Sequence, residues 1–310
     1  MTWTTCLSKA SAFLAAKGVP DAAVAAELLM ARLLKTGRGF LSAAMEKEVS
    51  ERHVEAMRRG MARLAKGEPV QYVLGEWDFR SLTLACDRRA LIPRPETEEL
   101  VTRVLNFMKS RYPAKNERQN WGQAPSENWG QTPSGGRGQA PFVVDVGTGT
   151  GAIILSLAKE FAGDAIFLGT DLSEDAIALA RENAGRCGLA ERVRFAVADG
   201  LDDFDEPQSV DVIVSNPPYV RSAVCETLDP RVKDHEPRLA LDGGADGLSF
   251  YDRYLGDAVN LLKPGGAVFF EIGDDQGDAL RRLMTDYGFA GIAVEKDFAG
   301  HDRYASATLP

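Results

Sequence analysis

Phe142-Val143-Val144-Asp145-Val146-Gly147-Thr148-Gly149-Thr150-Gly151 is the stretch that decides the fold. Its first five residues are apolar apart from Asp145, a pattern that fits a short buried strand. A glycine-rich turn follows, and Ala152 to Phe161 then reads as a helix. Glycines at such a turn let a ligand approach the backbone closely, at a helix N-terminus. The alternation continues downstream. Ala165–Thr170 is a strand ending at Asp171, Ser173 caps a helix running to about Cys187, and Arg192–Ala198 is a third strand ending at Asp199. Val210–Ser215 is a fourth strand and Leu248–Leu262 a helix. Lys263-Pro264-Gly265-Gly266 is expected to turn into the strand Ala267–Ile272. A helix from Asp275 to Tyr287 and two closing strands near 291–296 and 304–309 complete the pattern. Strands alternating with helices predict an α/β fold with a doubly wound, mainly parallel sheet.

The front of the chain is different material. Residues 3–17, about 21–35 and about 50–66 carry helical periodicity, with stops at Gly18, Gly37 and Gly67 and a Ser50 cap. This predicts a small all-helical domain over 1–74, with His53 a solvated residue on its charged face. Val70–Gly75 and Leu82–Cys86 flank a polar turn, so a β-hairpin over 75–95 is expected to join it to the rest. Pro93 and Pro95 hold Arg94 extended, either as a carboxylate clamp or as an interdomain ion pair, before a helix from Glu96 to Lys109. Residues 113–141 contain Asn120-Trp121-Gly122-Gln123-Ala124-Pro125-Ser126 and its near-repeat Asn128–Ser134. Rich in Gly, Pro, Gln and Asn, that segment is expected to be a disordered insertion in a domain spanning 96–310.

The net charge of −9 argues against a general nucleic-acid binder, which needs a basic footprint. Residues 1–75 hold 11 Lys/Arg against 7 Asp/Glu, so the front is mildly basic and the remainder acidic. Cys6, Cys86, Cys187 and Cys225 lack metal-ligand spacing and read as reduced thiols, with no metal site. His235 and His301 have no evident partners. No signal peptide, transit sequence or long apolar run is present, so a cytoplasmic protein is expected, off the membrane and monomeric.

Two places carry chemistry. Asp171, 20 residues after Gly151, is placed to hold ribose hydroxyls. Gly147-x-Gly149-x-x-Ala152 satisfies even the relaxed dinucleotide pattern. Two further acids favour S-adenosylmethionine instead: Asp145, a carboxylate for an amino-acid ammonium, and Asp199, an acceptor for an adenine amino group. The second place is Asn216-Pro217-Pro218-Tyr219, directly after the fourth strand. Two prolines stiffen it and leave acceptors that no neighbouring N–H claims. The Asn216 side-chain oxygen and the Pro217 carbonyl can each accept one hydrogen of a planar NH2 group, and Tyr219 can lie against it.

Together these residues resemble the protein-glutamine N5-methyltransferases that modify bacterial peptide chain release factors. The likeness covers Glu68–Gly75 with Trp77-Asp78-Phe79, Leu91–Glu98, Asp145–Gly151, Ser215–Tyr219, Glu236–Leu241, Asp246–Leu248 and Asp297–Arg303. It departs at the 113–141 insertion and at Gly200, where some relatives carry an aromatic beside the adenine. The resemblance implies a Rossmann-like methyltransferase sheet and S-adenosylmethionine bound by Asp145, Gly147, Thr148, Gly149, Thr150, Gly151, Asp171, Asp199, Gly200 and Asn216. It implies in-line methyl transfer to the Gln amide nitrogen of a Gly-Gly-Gln motif, with Asn216, Pro217, Pro218 and Tyr219 on the substrate and release factors as partners. A glutamine methyltransferase of a ribosomal protein and an amino-methylating DNA enzyme are the alternatives.

Overall fold

A computed structural model describes residues 1–112 and 140–310. The expected insertion over 113–141 lies outside them, save its last two residues. The chain divides into two compact units, one of residues 1–77, 86–88 and 228–236, the other of residues 78–85, 89–227 and 237–310.

In the first unit, α1 (Trp3–Ala16), α2 (Ala22–Leu34) and α3 (Glu51–Leu64) pack around Leu14, Ala26, Met30 and Met57. A 3₁₀ segment spans Arg38–Ala44. The Ser50 hydroxyl caps α3 by accepting from the His53 N–H at 3.3 Å. Two expectations change here. Val70–Leu74 is not a hairpin arm but one turn of helix, α4. Pro69 stands just outside it as the N-cap, and Val70, Val73 and Leu74, at helical spacing, pack on the helical core. His53 is half-buried, its ring 5.5 Å from that of Trp3, rather than solvated. His235, which follows α9 below, meets the Arg88 guanidinium at 3.1 Å.

The hairpin itself is β1 (Glu76–Phe79) with β2 (Leu82–Ala85). Arg80 at its tip adopts φ 51° and forks onto Glu160 through two bonds of 2.8 and 2.7 Å. The remaining elements are α5 (Pro95–Arg111), β3 (Phe142–Val146), α6 (Ala152–Glu160), β4 (Ile166–Asp171), α7 (Glu174–Arg186), β5 (Val193–Val197) and β6 (Val210–Ser215). Then come α8 (Ser222–Cys225), α9 (Pro230–Lys233), a 3₁₀ turn at Arg238–Ala240, α10 (Ser249–Leu261), β7 (Leu262–Glu271), α11 (Gly277–Asp286), β8 (Ala290–Lys296) and β9 (Asp302–Thr308). α8, α9 and both 3₁₀ segments are too short to register as sequence periodicity.

The sheet runs β5-β4-β3-β6-β7-β9-β8, parallel through β7, with β9 antiparallel to both its neighbours. Alternate strand residues feed two cores. Val143, Val212, Val214 and Phe269 meet α5, α6 and α7, while Val144, Ile213, Val268 and Phe270 meet α10 and α11. This is the doubly wound α/β sandwich the sequence predicts. Lys263–Gly266 departs from expectation: it lies inside β7, where the register against β6 shifts between Val210 and Val212. The Lys263 ammonium meets Asp211 at 2.6 Å there, so an ion pair and an irregular ladder absorb what reads as a turn. Among the described residues, no helix is long and apolar enough to cross a membrane.

Candidate active site

β3 lies between β4 and β6, so the chain winds outward in both directions from it, and the carboxyl ends of these strands open into a crevice. That crevice holds a cavity of about 1080 Å³, the space open to solvent at its mouth included. Its wall contains Gly147, Thr148, Gly149, Thr150, Asp171, Asp199, Gly200, Asn216 and Pro218. The sequence-predicted residues Asp145, Gly151, Pro217 and Tyr219 are not among those that line it.

The glycine turn is held by hydrogen bonds from several elements. The Thr148 N–H donates to the Thr170 carbonyl at 2.8 Å and the Gly149 N–H to Asp171 Oδ2 at 2.9 Å. The other Asp171 oxygen accepts from the Ser173 N–H at 2.9 Å, so this carboxylate ties the turn to the start of α7. Burial pushes its pKa up, against the pull of those two N–H groups. Gly147 has φ +73° with open space where a side chain would stand, so the backbone bares its face to the cavity. Asn183 braces the turn from behind, donating to the Thr150 carbonyl at 3.0 Å and accepting from the Ala85 N–H at 2.6 Å.

Asp145 is fully buried. Its Oδ2 accepts from the Thr148 hydroxyl at 2.6 Å, and its Oδ1 has no hydrogen-bond partner. Burial raises its pKa to about 7, the Thr148 hydroxyl and the Ile154 N–H pull it down, and nearby Asp171 adds to the rise. A buried carboxylate oxygen without a donor is costly, and a cationic donor of a ligand would relieve it.

At the far rim, the Arg253 guanidinium donates to Asp199 Oδ1 and to the Asp199 carbonyl, both at 2.7 Å. Gly200 adopts φ +68°, and a Cβ there would come within 2.9 Å of the Tyr254 ring. An aromatic therefore does stand beside Gly200, supplied by α10 and not by the adjacent chain position. Phe250 and Leu172 also face the cavity; Leu172 is 51% exposed, an apolar side chain at a strand end with no core to enter. Sequence reasoning passed over all three, and only the acid before Leu172 marks its place.

Asn216 follows β6, whose Ser215 hydroxyl donates to the Val146 carbonyl at 2.6 Å and so ties the ends of β6 and β3 together. The Asn216 Nδ2 donates to the Thr97 hydroxyl oxygen at 3.2 Å, and that hydroxyl donates to Glu271 Oε2 at 2.7 Å. Tyr219 does not turn onto the cavity. Its hydroxyl points at Glu271 Oε1, 3.4 Å away, and its carbonyl accepts from Gln276 Nε2 at 3.2 Å. Burial, then the Glu271 charge, pushes the phenol pKa well up. Arg94, between its two prolines, stands in the cavity wall.

Residues 5–75 match the family described as the PrmC N-terminal domain, and residues 141–290 match a methyltransferase domain. The release factor glutamine methyltransferase of Agrobacterium fabrum is 36% identical over 292 residues, 94% of this chain and 91% of its own length. Those of Bacillus cereus and Moorella thermoacetica are 33% and 36% identical, covering 98% of this chain each and 98% and 97% of their own. The chain belongs to the release factor glutamine methyltransferase family. It is an S-adenosylmethionine-dependent protein-glutamine methyltransferase. The fold is also that of the hMettl16 catalytic domain solved with an RNA hairpin: TM-score 0.52, 12% identity, 84% of this chain and 85% of that one covered.

The residues present fit the cofactor of such an enzyme. An orphaned carboxylate oxygen suits an ammonium, the two-armed Asp171 keeps lone pairs free for ribose hydroxyls, and Leu172, Phe250 and Tyr254 offer apolar faces to a purine.

Proposed function

We propose that this methyltransferase modifies the N5 amide nitrogen of the glutamine in the Gly-Gly-Gln motif of peptide chain release factors. The observation that carries the reading is Asn216 itself. It stands in the wall of the glycine-turn cavity with its amide nitrogen already engaged by Thr97, which turns its oxygen toward an incoming donor.

Bound S-adenosylmethionine supplies an electrophilic methyl group. Asp145, Asp171 and Asp199, with the turn from Gly147 to Gly151, are proposed to hold it. An amide nitrogen is a weak nucleophile because its lone pair is delocalised into the carbonyl. Asn216 Oδ1 and the Pro217 carbonyl accept its two hydrogens, which fixes the direction of the lone pair and raises electron density on nitrogen. The same two oxygens face the positive charge that grows there as the new bond forms. Each such hydrogen bond is worth only ~1 kcal/mol net, so positioning supplies the larger share, up to ~7–11 kcal/mol. No base is required beforehand, because the nitrogen becomes acidic once alkylated.

The basic helical unit is proposed to dock the release factor. Deleting residues 1–70 is expected to raise KM for the protein substrate at least ~10-fold while the cofactor Kd moves less than ~2-fold. Equal KM without the segment removes that role. The central experiment is mass spectrometry of a purified release factor incubated with the enzyme and S-adenosylmethionine. One added methyl on the Gly-Gly-Gln glutamine is expected, and methylation elsewhere or none overturns the assignment.

A further inference from the structure

We infer that Thr97 and Glu271 are positioning residues that lock the Asn216 side-chain amide in the one orientation able to hold a substrate amide. This rests on the role proposed above for Asn216. Nothing in the local sequence of Asn216 dictates which way its amide faces, and the two orientations differ in kind. One presents a carbonyl oxygen to the substrate NH2; the other presents a second NH2 and holds nothing.

The lock follows from counting protons. Glu271 ends β7, 2% exposed, beside the end of β6, where Ser215 pairs with Phe270. Thr97, 4% exposed, sits in the first turn of α5. A carboxylate only accepts, and a threonine hydroxyl carries a single proton. At 2.7 Å from Glu271 Oε2 that proton belongs to the carboxylate, so the Thr97 oxygen has only lone pairs to offer Asn216. Nδ2 must therefore face Thr97, as it does at 3.2 Å, and Oδ1 must face away. Flipping the amide would set two lone-pair-bearing oxygens against each other in a buried site.

The surroundings keep the relay rigid. The Tyr304 hydroxyl donates to the Glu96 carbonyl at 2.8 Å and pins the start of α5. The Tyr251 hydroxyl donates to the Glu271 carbonyl at 2.8 Å and fixes the strand end. The Arg303 guanidinium, anchored on the Ile272 carbonyl at 3.0 Å and on Asp297 at 3.3 Å, lends positive charge, while Glu96 opposes it. The Tyr219 hydroxyl closes the second carboxylate oxygen. Burial outweighs these partners and raises the Glu271 pKa to about 6. Once protonated, Glu271 can donate to Thr97, which frees the threonine proton for Asn216 and permits the flip. Activity should therefore fall on the acid side.

The test uses the full chain with a release factor and saturating S-adenosylmethionine, together with cofactor Kd and Tm for each variant. Thr97→Val keeps shape and removes the hydroxyl; it should lower kcat ~10–100-fold, less than the ~100–1,000-fold of removing a catalytic hydrogen bond outright, with cofactor Kd within ~2-fold. Thr97→Ser should restore most of kcat. Glu271→Gln should abolish the acid limb of the kcat–pH profile, and it carries the test if Thr97→Val fails to fold. Wild-type kcat in Thr97→Val, or an acid limb that persists in Glu271→Gln, overturns the inference while Asn216→Ala is inactive. Full activity of Asn216→Ala overturns the underlying reading instead.

Discussion

The ends of β3 and β6 lie side by side, tied by the Ser215–Val146 bond, yet they are built on opposite plans. After β3 every second residue of the turn is glycine, and its shape comes from outside, from the Asp171 carboxylate, the Thr170 carbonyl and Asn183. After β6 the chain is stiffened from within by Pro217 and Pro218, and what comes from outside is the facing of one side-chain amide. The difference matches the two tasks proposed for them. A surface that wraps a whole cofactor needs bare backbone and can share the load among many contacts. A surface that aims one weak nucleophile needs fixed acceptors, and each of them matters.

Breaking the β6 side should therefore have the largest effect. Asn216→Ala is expected to lower kcat ~100–1,000-fold, as loss of a preorganised charge-stabilising contact does, with cofactor affinity within ~3-fold by calorimetry. On the β3 side the loss should appear in binding. Asp145→Asn is expected to weaken S-adenosylmethionine ~10–100-fold, the worth of a charged hydrogen bond, with kcat at saturation little changed.

Asp145 also sharpens the comparison through pH. Its folded pKa of about 7 lies above the ordinary carboxylate value, so between about 4 and 7 the folded state holds a proton that the unfolded chain releases. That contribution to stability is fully present below the ordinary value and is lost as pH rises through 7. The Tm of the cofactor-free protein should fall over this range, and Asp145→Asn should flatten the fall; an unchanged slope places the titration elsewhere. The smallest effect is expected from Gly147→Ala. Its strain is about 1 kcal/mol, because φ is +73° but nothing occupies the added methyl's place, so cofactor Kd should rise only ~3–10-fold.

Much of this was legible in the residues. Strand 142–146, the glycine turn, Asp171 and the Asn-Pro-Pro-Tyr loop are local signals: a run of apolar residues, a backbone without side chains, a fixed φ. Where local and tertiary preferences compete, the sequence misleads. Val70–Leu74 is β-branched enough to read as strand but has a helical core to pack against. Lys263–Gly266 reads as a turn but is held in β7 by Asp211. Tyr219 reads as an aromatic free to lie against a planar amide, and its hydroxyl is spent on Glu271.

The sequence by itself determined the winding of the sheet, the glycine turn after β3 and the proline-stiffened loop that carries the Asn216 amide, because periodicity and backbone restriction act within a few positions. Which way that amide faces was decided by Thr97 and Glu271, 119 residues before it and 55 after. A hydroxyl's single proton can be assigned only when its two neighbours are known, and folding alone brings them together.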